Sequence, residues 1–478
     1  MTQQQWSRRT FLQRSAVALG APAIPLDLLA QTSLLVRPEW QTFKTTTQYD
    51  SLLNAVRLMK ANTNSSSPNS WAYWKNIHVQ RCPHNTAYFL AWHRGYLFYF
   101  ERQLRTVSGD SKLVLPYWDY YSYSTLPAEF TYPSTNNPLY VSRRNTNVRQ
   151  ALTLTPFGPT YTNFQRGQTN AFEPVMESAP HNPIHNLIGN VMATMESPND
   201  PIFWLHHANV DRLWNAWVAA GGGRKMPAST NSYWSGNHTY TSSLTMKRTS
   251  TYSTRGILAY YYQNEAMPAS LPPLAAAGNP RIQLAQATPE DTLRSAPPLG
   301  TFHITGARQT SETTFALGGA RNVGLDERSV SVQLPVSSEY GTALAEVARG
   351  NRVTVPRNTR KYRSAHIVLE HLEMTNIGRD GGFYYQVFLN LPANRSGGRP
   401  TSVLLGTLGA FEIAAAAHHG GHAQVRYPIG DALARLSALQ VGMLSVSFVR
   451  VDGENSPRGA VIGIGEARLE LSTEDASQ

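Results

Sequence analysis

Six histidines fall into two spaced triplets, His78, His84, His93 and then His181, His185, His207, in a chain of 478 residues. Neutral imidazole is a metal donor, and three per ion leave coordination positions open, as a catalytic centre needs and a closed structural site lacks. Without thiolate partners, such donors suit copper, iron or zinc. A single buried histidine reads as a satisfied structural residue. Seven of the 14 histidines, however, lie between His78 and His207 inside aromatic-rich segments, which points to a two-metal oxygen enzyme. A zinc peptidase also begins with two histidines four apart, but it needs a glutamate beside the first as general base, and that position is Asn182.

Apolar spacing indicates the elements that must hold these rings. Phe89, Trp92, Tyr96, Leu97 and Phe100 recur at three- and four-residue steps, which predicts a buried amphipathic helix carrying His93. His78 and His84 then come from the preceding helix end and loop. The four-residue step from His181 to His185 stacks two imidazoles on one helix face. His207 lies in the apolar run from Asp200 to Trp214, and Asp211, one turn later, is expected to support it.

At these residues the chain resembles the type 3 copper family of tyrosinases, catechol oxidases (polyphenol oxidases) and molluscan haemocyanins. The resemblance is carried by Cys82-Pro83-His84, Phe89 to Glu101, Leu115-Pro116-Tyr117-Trp118-Asp119, Pro180 to His185 and Met192 to Trp214. It implies two copper ions, copper A on His78, His84 and His93, copper B on His181, His185 and His207, with His206 left as a supporting or structural residue. Dioxygen is the implied co-substrate, taking one electron from each cuprous ion. A phenol must lose its proton to bind a metal well, because its ordinary pKa is about 10.

The same resemblance assigns further roles. Asn182 and Glu177 would polarise the water that takes the phenol proton, with Glu173 as fallback; the alternatives are a helix cap for Asn182 and a solvated charge for Glu177. Met195 would overhang the substrate entrance, against the plainer role of core filler. Cys82, the only cysteine, rules out an intramolecular disulfide. It would instead join the His84 imidazole through a thioether, the alternative being an inert buried thiol.

Ser7-Arg8-Arg9-Thr10-Phe11-Leu12 followed by a short apolar stretch reads as a twin-arginine signal over residues 1–30. It implies the twin-arginine export machinery as a partner, a periplasmic or secreted destination and a bacterial source. No later stretch offers 18 unbroken apolar residues, so no stable membrane insertion is expected. The net charge of +11 is spread from Arg37 to Arg468 rather than clustered, which argues against nucleic acid and suits anionic phenolics or cell-wall polymers.

The length allows two compact domains. The expected fold is α+β: a mainly α-helical copper domain with a four-helix core over residues 33–265, a Pro- and Ala-rich linker over 266–300, and an all-β sandwich over 301–475. The first domain should end at Tyr260-Tyr261-Tyr262, with Arg37 a cation partner for one ring. Alternating stretches at Ser329 to Leu334, Phe383 to Phe388, Leu444 to Val449 and Val461 to Leu471 read as strands, with a single helical piece near Asp431 to Leu436. The β half resembles the family's C-terminal domain, which covers the copper cleft and pushes one apolar side chain toward the metals; Phe411 in Gly406-Thr407-Leu408-Gly409-Ala410-Phe411 is the candidate plug, the alternative being a sandwich core residue. His418, His419 and His422 read as a solvated, metal-sticky loop.

The expected activity is oxidation of small o-diphenols to o-quinones by dioxygen, with hydroxylation of monophenols, in a protein made latent by its β half. A catechol oxidase without the hydroxylating step, or a haemocyanin-like oxygen carrier, is the alternative. A copper chaperone is a possible further partner.

Overall fold

The computed structural model describes residues 34–273, 303–356, 358–391, 401–418, 422–433 and 443–475. The expected twin-arginine signal at 1–30 and most of the expected linker lie outside the described residues. The described beginning of the expected linker is not a free spacer. Met267 and Leu271 pack on the helical core, and Arg212 Nη1 donates to the Ala266 carbonyl at 3.2 Å.

Among the described residues the five longest helices of the first half are α1 (Gln48–Ala61), α2 (Trp71–Arg81), α3 (Phe89–Ser108), α4 (Asn182–Ile188) and α5 (Ile202–Ala219). Helix α5 is buried on nearly every face, from Ile202 through Trp214 without a break, and its polar residues His206, His207, Asn209, Asp211 and Arg212 are buried with the rest. Helix α3 buries the apolar stripe the spacing predicts and ends at Gly109 in the left-handed conformation. A short parallel pair, β1 (Leu35–Arg37) and β2 (Tyr260–Tyr262), closes this half. It stacks the Arg37 guanidinium 3.6 Å from the Tyr260 ring centroid.

Under that stack lies a buried charge network. Arg37 Nε donates to Glu101 Oε2 at 2.7 Å, and Glu101 also pairs with Arg105. Burial alone would raise the Glu101 carboxyl, but Arg37 and Arg105 outweigh it and hold it below its usual range. Asp211 accepts from Arg94 Nε at 2.5 Å and from the Tyr260 and Tyr262 hydroxyls at 2.6 Å each. The expectation that Asp211 serves His207 is therefore corrected: its oxygens face the arginine and tyrosines that join α3, α5 and β2.

The second half is a sandwich of antiparallel strands: β3 (His303–Thr305), β4 (Thr314–Leu325), β5 (Val330–Pro335), β6 (Ser364–Met374), β7 (Phe383–Leu391), β8 (Thr401–Gly409), β9 (Val425–Pro428), β10 (Met443–Asp452) and β11 (Ile462–Ser472). One sheet runs β8-β7-β10-β5 and the other β9-β6-β11-β4-β3. Two helices correct the expectation of a single helical piece, α6 (Ser338–Ala348) and α7 (Ala410–His418), alongside a short one at Gly430–Leu433. The α+β class holds. The halves share a core, because Tyr384, Ala415 and Val451 of the β half belong to the apolar cluster around α3 and α5.

Candidate metal centre

Two histidine groups face each other at the centre of the helical half. His78 rides on α2 and His93 on α3, while His84 occupies the loop between them. Asn85 and Tyr88 take positive φ there, so the chain turns sharply enough to bring His84 back over the helices. His181 immediately precedes α4, His185 is on it, and their ring centroids stand 4.6 Å apart, as a four-residue helical step requires. His207 comes from α5 and stacks on His93 across the gap, centroids 4.2 Å apart and planes 12° apart.

The donor set fits a pair of metal ions. His78, Cys82, His84 and His93 form one group and His181, His185, His206 and His207 the other, with the ligand atoms in each within 4.8 Å of one another. The Nδ1 atoms of His78, His93 and His185 lie 2.8, 2.8 and 2.7 Å from the carbonyls of Met195, Phe89 and Met192. A carbonyl only accepts, so each Nδ1 carries the proton and each Nε2 turns its lone pair inward. The Nε2 atoms of His78 and His185 are buried without a hydrogen-bond partner, the state of a ligand awaiting an ion. Burial lowers His78 to a pKa of about 4 and His185 to about 3 and holds His93, His181 and His207 well down too, so all five are neutral donors at pH 7. Nitrogen donors without a carboxylate suit copper.

The resemblance leaves His206 as a supporting or structural residue, whereas the structure brings it into the second group. Neither of its ring nitrogens has a hydrogen-bond partner. Consecutive helical residues point about 100° apart. His207 thus turns toward His93, whereas His206 packs beside His181 and His185, centroids 5.2 and 5.0 Å apart, with Tyr120 at 5.8 Å.

The other candidate residues fall around this centre. Cys82 is buried, its Sγ 3.5 Å from His84 Nε2 and 3.3 Å from His93 Nε2, and burial pushes its thiol well up. Asn182 Oδ1 lies 2.8 Å from His181 Nδ1, so it orients that imidazole. Glu177 accepts from the Asn85 amide at 2.7 Å and from Arg166 Nη2 at 2.5 Å. Glu173 accepts from the Leu90 and Arg166 amides at 3.3 and 3.2 Å. Burial raises both carboxyls against the pull of Arg166, Glu173 to about 7. Neither glutamate hydrogen-bonds to Asn182 among the described residues. Met195, expected at an entrance, is buried in the core and contributes its carbonyl to His78.

Phe411 reaches this centre from the β half. At the start of α7, its ring stacks on His185, centroids 4.1 Å apart and planes 17° apart, and meets His84 edge-on at 5.0 Å. Phe411 is 1% exposed and none of the six histidines exceeds 3%. The site is shut. Sequence spacing gave no sign of Asn186, whose side chain bonds to α7 across the interface.

The common central domain of tyrosinase matches residues 46–150 and 131–220. A tyrosinase of a Hahella species is 36% identical over 183 residues, covering 30% of this chain and 38% of that protein. A tyrosinase of Streptomyces glaucescens is 33% identical over 179 residues, covering 29% of this chain and 65% of its own length. The matches thus span less than two thirds of these relatives. Latent apple tyrosinase shares the fold at a TM-score of 0.52 and 20% identity, covering 93% of this chain and 99% of that one.

Proposed function

We propose that the chain, whose helical half matches the common central domain of tyrosinase, is a type 3 copper protein that oxidises o-diphenols to o-quinones with dioxygen and hydroxylates monophenols, in a form kept latent by its β half. The carrying observation is the pair of facing histidine groups with an aromatic ring already stacked on His185. Phe411 occupies the place a phenol ring would take, so a substrate enters only when Phe411 leaves.

Bound copper would supply the electrons for dioxygen, held by His78, His84 and His93 on one side and His181, His185 and His207 on the other. The chain's own residues do the rest. The Met195, Phe89 and Met192 carbonyls and the Asn182 amide fix ring orientation. A thioether between Cys82 and His84 would lock that ring as well. Mass spectrometry of copper-matured protein should show a mass two hydrogens low, and an alkylatable Cys82 thiol would rule the bond out. For monophenols, Asn182 and Glu177 would manage the water that takes the phenol proton. Glu173, raised to about 7 by burial, is the fallback for Glu177 in that role.

The test is oxygen uptake by copper-loaded, cap-displaced protein on a monophenol and its matching catechol. Uptake on both supports the hydroxylating role of Asn182 and Glu177. Uptake on catechol alone leaves a catechol oxidase and removes that role.

A further inference from the structure

We propose that Asn186 and Glu412 form the clamp that seats Phe411 over the copper B histidines. The inference rests on the latent-oxidase reading, but its contacts lie outside the metal ligands. Asn186 follows His185 directly on α4, and its amide bonds twice to the start of α7: Oδ1 accepts from the Phe411 N–H at 2.8 Å, and Nδ2 donates to Glu412 Oε2 at 2.7 Å. The Asn186 carbonyl also accepts from the Gly382 N–H at 2.8 Å, so one residue touches the β half through three atoms.

Glu412 is unusual where it sits. It is 3% exposed, and no cation pairs with it among the described residues. A buried carboxylate without a counter-charge is costly unless donors converge on it. Here they are the Asn186 amide and the Thr407 hydroxyl, the latter at 2.6 Å from Oε1. Unlike Glu466 and Glu470, which pair with Arg468 inside the sandwich, Glu412 spends both its oxygens on the clamp. The fit is close on the other side too, because a Cβ on Gly409 would meet the Asn186 amide at 2.5 Å, so only glycine lets β8 approach. Phe411 and Glu412 are consecutive, so holding the carboxylate and the Phe411 N–H fixes where the ring points.

The test compares Glu412→Leu with Glu412→Gln in the copper-loaded full chain. Leucine strands the Asn186 donor and leaves Thr407 only the Ser178 carbonyl at 3.1 Å, whereas glutamine keeps an acceptor for Asn186. Catechol-driven oxygen uptake should rise about tenfold or more with leucine and stay within about threefold of the parent with glutamine, the size expected for losing a buried bond to a charged group. Amide exchange of residues 410–418 in copper-free protein should accelerate in the leucine variant while β6 keeps its protection. Should the leucine variant fail to fold, Thr407→Val should give the same two changes in smaller measure. Unchanged latency together with unchanged exchange overturns the clamp. Faster exchange in the copper-free leucine variant, with no catechol uptake by its copper-loaded form, upholds the clamp and instead defeats the oxidase reading.

Discussion

Replacing His207 with leucine should leave one copper per chain and cut catechol oxidation by about a thousandfold or more, whereas His206→Leu should keep both ions. The asymmetry follows from geometry. His207 Nε2 lies 3.3 Å from His181 Nε2, and its ring stacks on His93, so it stands between the two histidine groups. Losing it opens one ion's shell and breaks the pairing on which two-electron chemistry depends. His206 packs beside His181 and His185, centroids 5.2 and 5.0 Å away, but does not stack across the gap on the first group as His207 does, and its ring makes no hydrogen bond for an apolar side chain of similar bulk to break. Metal analysis after gel filtration decides the matter. A single copper in the His206 variant would make His206 the ligand and reverse the assignment.

Asp211→Ala should destabilise the folded chain by about 3–5 kcal/mol, the usual cost of removing one partner from a buried ion pair. Arg94 would lose the carboxylate at 2.5 Å, and the Tyr260 and Tyr262 hydroxyls their acceptor. Arg37, 3.8 Å from Asp211, keeps Glu101 but loses half its counter-charge. The loss spreads to the metal centre because Arg94 follows His93 and Asp211 lies one turn beyond His207 on α5. Urea unfolding of the copper-free protein measures it. A midpoint equivalent to a change under about 0.5 kcal/mol would show that the network is dispensable.

The metal centre was legible because coordination constrains residue type and helix geometry constrains spacing. His181 and His185 had to share a face, and His93 had to ride the stripe of Phe89 and Trp92. The role of Asp211 was misread for the opposite reason. Being one turn from His207 makes contact possible, but the acceptor goes to the strongest donors in reach, and Arg94, Tyr260 and Tyr262 come from distant parts of the chain. In the β half, β4 escaped notice because Gly318 and Gly319 break the alternation. The glycine at 318 is imposed by packing, since a Cβ there would meet the Pro335 carbonyl at 1.9 Å. Helix α7 was hidden in an Ala-rich run next to histidines that read as a loop. The Asn186 contacts could not be found from sequence at all, because they join residues more than 200 positions apart.

Catechol-driven oxygen uptake by the copper-loaded chain, measured before and after limited proteolysis between residues 264 and 300 with removal of the β half, tests the central claim most directly. The account predicts two coppers per chain, little uptake while Phe411 covers His185, and a rise of about tenfold or more once the β half is gone. Two bound coppers with no uptake in either state would contradict it and leave an oxygen carrier in its place.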